Sequence, residues 1–305
     1  MPAKPNQPIH IAGPTACGKS AVALTLADRL GGEIVSVDSM QVYRGLDIGS
    51  AKPSKVEQAA VPHHLIDIRD LTESFDAAQF VGQARDAIAD IQRRGKVPIL
   101  CGGTGLYFKA LFGGLGESPT SDSNLRVRLE STELADLLEE LRSKDPKTFE
   151  AIDRQNPRRV IRAVEVIRMT GKPFSEQRAD WGRATACNFF VMRREPDDLK
   201  RRVNERVDKM FEAGLLAETG SLLSNGLEQN KTAMQAIGYR QVVEHLNGER
   251  SLEETIELIK ARTRQFARRQ MTWFRNQTEP VWIDIGAEDT PDRTIDQLRA
   301  QTGVF

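Results

Sequence analysis

The chain has 305 residues, 39% of them hydrophobic and 28% charged, the balance of an ordinary globular protein of one large domain or two modest ones. Its 43 basic and 43 acidic side chains cancel, which excludes a generally basic nucleic-acid coat and leaves any such role to local patches. MPAKPNQP has no apolar core of a signal peptide, no apolar run approaches the roughly 18–20 residues that span a bilayer, and Cys17, Cys101 and Cys187 share no metal-ligand spacing, so a reduced cytoplasmic protein without a membrane partner is expected.

In chain order, IHIA (9–12), EIVSVD (33–38), HLIDI (64–68) and VPILCGG (97–103) are short Val/Ile-rich runs that predict buried strands. Helical spacing fills 18–30 and 76–94, with Phe80, Ala84, Ala87, Ile88 and Ile91 on one face of the second. Strands alternating with helices predict a parallel α/β sheet whose ligands sit at the carboxyl ends of the strands. From about 117 to 185 the pattern turns helical. Leu125, Leu129, Leu134, Leu137, Leu138 and Leu141 recur at helical spacing, and a further helix is capped by Asn156, opened by Pro157 and closed by Gly171 and Pro173. Strand character returns at NFFVMRR (188–194) and VWIDI (281–285), so 117–185 reads as a helical insertion between core parts 1–116 and 186–305. The last long helix starts at Ser251, with Glu254 in position for a capping box.

GPTACGKS, residues 13–20, fits G-x-x-x-x-G-K-[ST] between a strand and a helix, the context a phosphate-cradling P-loop requires. Gly13, Pro14, Thr15, Ala16, Cys17 and Gly18 supply the wrap, Lys19 neutralises phosphate oxygens, and the Ser20 hydroxyl suits Mg²⁺. Cys17 fills a variable position and reads as a small spacer, with a nucleophilic thiol as the alternative. Asp38 ends a strand ahead of the polar run SMQVYRGLDIGSAKP; a metal ligand, a general base and a solvated turn residue remain open for it. GGTGLYF (102–108) follows the next strand. Its glycines allow close backbone approach and Thr104 offers a hydroxyl, though a plain tight turn has the same glycines. His63 and His64 have only His10 and His245 for company, which favours local hydrogen bonding over a metal site.

Charge is concentrated near the C-terminus. LIKARTRQFARRQMTWFRNQT (258–278) has six basic residues and no acidic one, and Lys260, Arg264, Arg268 and Arg275 share a stripe apart from Ile256, Ile259, Phe266 and Phe274. The insertion adds Arg158, Arg159, Arg162, Arg168 and Lys172 against Glu165 alone. Two basic helices predict an RNA or DNA backbone as partner without saying which. A P-loop kinase acting on a small alcohol would account for residues 9–40 but not for the basic helix. A nucleotide-switched RNA-binding protein would use the loop for binding only.

GPTACGKS, DSMQVYRGLDIGSAKP, VPHHLID, GGTGLYFKAL, NPRRVIRAVEVI, MQAIGYRQ and TRQFARRQMTWFR, taken in this order, resemble the bacterial tRNA dimethylallyltransferase family over about residues 8–285. The resemblance implies a P-loop kinase-like α/β core with a helical insertion that binds tRNA. It implies transfer of a dimethylallyl group from dimethylallyl diphosphate to N6 of the adenosine 3′ of the anticodon, in tRNAs reading codons that begin with U. Mg²⁺ on Ser20, with Asp38 as a possible second ligand, is the implied cofactor, and a monomer acting on the anticodon stem-loop is expected. The implied catalytic residues are Asp38 as proton acceptor, Thr104, and Arg206 on the leaving diphosphate. The implied tRNA contacts are Asp38, Ser39, Met40, Gln41, Thr104 and Arg126, then Arg158, Arg159, Val160, Ile161 and Arg162 in the insertion. Further along they are Gln235, Ala236, Ile237, Gly238, Tyr239 and Arg240, and Arg268, Arg269, Gln270, Met271, Thr272, Trp273, Phe274 and Arg275. Gln235 stands where many members carry Arg, and Ser20 where many carry Thr, keeping the hydroxyl.

Overall fold

Four consecutive buried residues, Ile9–Ala12, make β1, and Lys19–Leu30 follows as α1. The order continues β2 (Glu33–Val37), α2 (Lys55–Ala60), β3 (His63–His64), α3 (Ala77–Arg93), β4 (Pro98–Gly102) and α4 (Gly105–Gly113). Five helices come next: α5 (Ser123–Glu130), α6 (Leu134–Lys144), α7 (Pro146–Ala151), α8 (Pro157–Thr170) and α9 (Phe174–Gln177). Then come β5 (Phe189–Arg194), α10 (Pro196–Glu212), α11 (Leu215–Ser224), α12 (Tyr239–Leu246), α13 (Leu252–Gln277), β6 (Val281–Ile285) and α14 (Pro291–Thr302). This computed structural model describes residues 6–116, 118–177 and 186–302. Among them no helix is long and apolar enough to cross a membrane.

The six strands form one all-parallel sheet in the order β3-β2-β4-β1-β5-β6. Strands β1, β2 and β4 are buried along their whole length, as strands covered on both faces must be. At the edge, β6 buries Ile283 and Ile285 and exposes Asp284, the alternation of a strand with one covered face. Ile11, Ala23, Leu26, Ile99, Phe190 and Leu298 are among the fully covered residues that pack α1 and α14 against the sheet.

The strand expected over HLIDI is confined to His63–His64, paired with Ile34 and Val35. Leu65 and Asp67 take φ of 63° and 55°, left-handed values that end an extended run. His63 Nδ1 bonds to the Val61 carbonyl at 2.7 Å, and His64 Nε2 to Glu33 Oε2 at 2.7 Å. The other strand and helix expectations are met within a residue or two, including the Ser251–Glu254 capping box and the Asn156, Pro157 and Gly171 signals around α8.

The chain divides into two compact units, Met1–Phe112 with Arg183–Phe305, and Gly113–Gly182. The expected boundaries at 116/117 and 185/186 lie a few residues away, beside residues 117 and 178–185, which are outside the described part. The helical unit has its own core of Leu129, Leu137, Leu141, Val160, Ala163 and Val164, close to the leucine pattern read from sequence.

Candidate active site and nucleic-acid face

Parallel strands send their carboxyl ends to one edge, and the register here aligns three of them. Gly102 pairs with Ala12 on one side and with Val37 on the other. The P-loop, the Asp38 turn and the glycine loop therefore leave the sheet side by side.

The P-loop opens α1 with Gly18 at φ 102°, a left-handed value that a side chain would strain. Its carbonyls are turned outward and held. Arg194 Nε donates to Cys17 O at 2.7 Å, Arg202 Nε to Ala16 O at 3.0 Å, and Lys19 Nζ to Pro14 O at 3.2 Å. With these carbonyls taken by cations, the loop amides other than those of Thr15, which donates to Gln270, and Cys17, which donates to Pro14 O, are left for an anion. Arg194 and Arg202 were not singled out from the sequence, since nothing local ties the end of β5 to a loop 177 residues earlier. Cys17 is fully buried in the sheet core, consistent with the spacer reading. Burial pushes the neighbouring Cys101 thiol up to about 12, which removes it as a nucleophile at neutral pH.

Asp38 follows β2 directly. Its Oδ1 accepts the amides of Met40 at 2.8 Å and Gln41 at 3.4 Å, folding the DSMQ turn. Among the described residues Oδ2 takes no hydrogen bond. The amide of Ser39 donates to Thr104 Oγ1 at 3.2 Å, which joins that turn to the glycine loop. Arg206, projecting from α10, is half-buried; desolvation pulls its guanidinium below the usual value, and the Asp38 carboxylate pushes the other way. Asp38, Thr104 and Arg206 line one cavity of about 450 Å³ together with Thr15, Lys19 and Ser20. A second hollow of about 610 Å³ shares Lys19, Ser20 and Arg206 and continues past Lys55, Arg202 and Lys209.

Several residues read from sequence as RNA contacts have other positions. Gln41 lines the 450 Å³ cavity, and its side-chain amide donates to Ala51 O at 3.2 Å and accepts from Ser36 Oγ at 2.8 Å, so it ties the 47–52 loop to β2. Tyr239 is fully buried; its hydroxyl donates to Glu218 Oε1 at 2.6 Å and accepts the Gly49 amide at 3.1 Å. Gln270 is buried and spans two loops, accepting the Thr15 amide at 2.9 Å and donating to Gly103 O at 2.9 Å. Phe274, Ala236 and Gly238 are buried as well, and Trp273 is half-buried with its ring against Gly105. Gln235, Ala236 and Ile237 nevertheless border the 450 Å³ cavity.

The basic stripe on α13 is split. Lys260 pairs with Asp208 at 2.8 Å and Glu257 at 3.0 Å, and Arg264 donates to Asn204 at 2.7 Å, so this half of the stripe is used inside the fold by α10. Phe266, expected on the covered face, is 38% exposed and borders the cavity. Arg268, Arg269, Thr272 and Arg275 are exposed, with Met271 half-buried among them. Arg268, Arg269, Thr272 and Trp273 line a shallow groove. Cations beside an aromatic ring are suited to a nucleic-acid backbone and base.

In the helical unit Val160 and Ile161 are core residues, and their side chains hold α8 rather than face outward. Arg162 pairs with the fully buried Glu165 at 2.8 Å, with Arg126 3.6 Å from the same carboxylate. Arg168 pairs with Glu140 at 2.6 Å, a partner from α6 that the reading of one helix alone did not count. Arg158 and Arg159 are exposed at the start of α8, and Arg240, exposed on α12, pairs with Glu244 at 2.9 Å.

The sequence model of the family described as IPP transferase matches residues 41–277. The chain is 48% identical to tRNA dimethylallyltransferase 1 of Trichlorobacter lovleyi, over 90% of this chain and 92% of that one. Its fold matches the full-length tRNA isopentenylpyrophosphate transferase of Bacillus halodurans with a TM-score of 0.71 and 40% identity, covering 98% of this chain and 96% of that one. It also matches a eukaryotic dimethylallyltransferase acting on tRNA with a TM-score of 0.76 and 29% identity, covering 97% of this chain and 77% of that one. A family match across most of the chain, on a sheet edge that gathers P-loop, carboxylate and glycine loop, has one reading: the chain belongs to the IPP transferase family.

Proposed function

We propose that this protein transfers the dimethylallyl group of dimethylallyl diphosphate to N6 of the adenosine 3′ of the anticodon, in tRNAs reading codons that begin with U. The observation that carries the reading is the single cavity that brings P-loop residues Lys19 and Ser20 to Asp38, Thr104 and Arg206. The loop amides, Lys19 and Arg206 bind the diphosphate and stabilise the charge it gains as the allylic C–O bond breaks. The allylic carbon accepts the N6 lone pair, and the proton displaced from N6 passes to Asp38 Oδ2, the oxygen not used by the DSMQ turn. Adenine N6 is a weak nucleophile because its lone pair is delocalised into the ring, so alignment supplies much of the rate.

The Ser20 hydroxyl, beside Lys19 on the same cavity, is a hard oxygen donor that would hold Mg²⁺ next to the diphosphate, with Oδ2 of Asp38 kept for the proton. When bound, Mg²⁺ neutralises charge on the leaving group. The target base must leave its stack, at about a few kcal/mol, less in a single-stranded anticodon loop than in a duplex. The exposed cations of α13 and the DSMQ turn are the surfaces this reading assigns to the stem-loop. The proposed substrates fit a cytoplasmic enzyme.

Incubation with unmodified tRNA and radiolabelled dimethylallyl diphosphate, without ATP, tests the reading directly. Label is expected in tRNA, at the adenosine next to the anticodon. Unlabelled tRNA, together with ATP-dependent phosphorylation of a small alcohol, would replace this reading with a kinase.

A further inference from the structure

Gln270 is a polar residue of the basic helix that is buried rather than turned outward. It is 8% exposed and lines the same cavity as Lys19, Asp38 and Thr104. Both ends of its amide are used, each on a backbone group of a different catalytic loop. Oε1 accepts the amide of Thr15 in the P-loop, and Nε2 donates to the carbonyl of Gly103 in the glycine loop, both at 2.9 Å. Gly103 has no side chain where Gln270 inserts: a Cβ there would lie 2.4 Å from Nε2, and 3.3 Å from the Gly13 carbonyl. The next residue, Thr104, accepts the Ser39 amide at 3.2 Å, and Ser39 adjoins Asp38. A continuous path of hydrogen bonds and single peptide steps thus runs Thr15, Gln270, Gly103, Thr104, Ser39, Asp38. One end is the diphosphate cradle and the other is the carboxylate.

We propose that Gln270 is a positioning residue that fixes the spacing between the diphosphate cradle and the Asp38–Thr104 edge. The proposal rests on the transferase reading given above. In that reaction the leaving group and the proton acceptor belong to different loops, and the reacting carbon and N6 lie between them. No hydrogen bond of the sheet sets that separation once the strands have ended. An amide side chain suits the task because it accepts at one end and donates at the other. Gln270 touches neither reacting atom in this arrangement and acts through the loops.

The test is a double-mutant cycle on Gln270→Ala and Gly103→Ala, reading kcat, KM for tRNA and the affinity for inorganic pyrophosphate. Gln270→Ala is expected to lower kcat by about ten- to a hundredfold, the scale of misalignment by a fraction of an ångström to an ångström. KM for tRNA and pyrophosphate affinity should stay within about twofold, because the outer face of the helix and the remaining loop amides are untouched. Gly103→Ala displaces the same amide and should lower kcat similarly. The double variant should be no slower than the slower single one, since the added methyl then loses its clash with the Gln270 amide and keeps only the 3.3 Å approach to the Gly13 carbonyl that the Gly103→Ala variant already has. Additive losses would overturn the proposal. So would a rise in KM for tRNA at unchanged kcat, which would make Gln270 an RNA contact.

Gln270→Glu guards against a folding defect. It keeps the volume and the acceptor for Thr15; the neutral carboxyl can still donate to Gly103 and the ionised one cannot, so kcat relative to the unaltered protein should fall as pH rises, in a range where both proteins remain folded by their unfolding transitions. A kcat ratio that is unchanged at every pH would also reject the positioning role. Pyrophosphate binding and label transfer by the unaltered protein report on the transferase reading itself, so its failure is distinguishable from failure of the bridge.

Discussion

Asp38 divides its two oxygens between structure and chemistry. Oδ1 accepts two amides and shapes the DSMQ turn, which leaves Oδ2 for a proton. The two duties can be separated by substitution. Asp38→Asn keeps the Oδ1 acceptor and loses basicity, so turnover is expected to fall by about 10²- to 10⁴-fold with tRNA affinity unchanged. Asp38→Ala removes the turn as well and should also weaken tRNA binding. Steady-state kinetics beside filter binding of tRNA checks both; an Asn variant with near-normal turnover would remove Asp38 as the base. Tyr239 and Gln41 also have structural duties, the Tyr239 hydroxyl accepting the Gly49 amide and Gln41 Nε2 donating to the carbonyls of Ser50 and Ala51.

Helix α13 is an element with three different faces. Thr255, Ile259, Ala267 and Phe274 are buried, Lys260 and Arg264 bind α10, and Arg268, Arg269 and Arg275 face outward. A helix of 26 residues turns past its neighbours, so a stripe that is uniform in sequence meets α10 at one end and solvent at the other. Arg268→Ala is expected to weaken tRNA binding and to reduce the slope of log affinity against log salt by about one unit. Arg264→Ala should leave the slope unchanged, because its guanidinium is already held by Asn204. Binding titrations at several salt concentrations compare the two. Equal slopes for Arg268→Ala and the unaltered protein would take this face away from the RNA.

At the scale of the whole molecule, the sheet has a working edge and an anchoring edge. At the amino ends of the strands the buried Glu33 binds Arg94, Lys96 and His64, tying β2 to the segments that follow α3 and to β3. Arg94 foremost, with Lys96 and His64, holds the Glu33 carboxyl far below its ordinary 4.5. A depressed carboxyl contributes stability that is present above its unfolded pKa and is lost as pH falls toward the folded one. Glu33→Gln should therefore lower Tm most near pH 7, a loss of about 1–2 kcal/mol of stability given that Arg94 and Lys96 are partly exposed, and the difference should begin to shrink below about pH 4. KM for both substrates should not change at permissive temperature, since Glu33, His64, Arg94 and Lys96 do not line the cavity. A deficit in Tm that is independent of pH would contradict this account.

Composition, the P-loop motif and the alternation of strand and helix determined the α/β class, the helical insertion and the loops that form the site. These are local signals, in which spacing and residue type act within a few positions of one another. Helix caps at Asn156 and Ser251 were legible for the same reason. The tertiary structure alone decided which charged and polar side chains are spent inside the fold. Glu140 for Arg168, Asn204 for Arg264, and the carbonyls of Ala16 and Cys17 for Arg202 and Arg194 are partners from distant segments. Gln270 lies 255 residues from Thr15, and the repeat of a helix cannot tell a polar residue that faces solvent from one that reaches a backbone amide across the core. A buried polar group must find a partner wherever the chain brings one. Which partner that is depends on strand order and register, and these exist only once the sheet has formed.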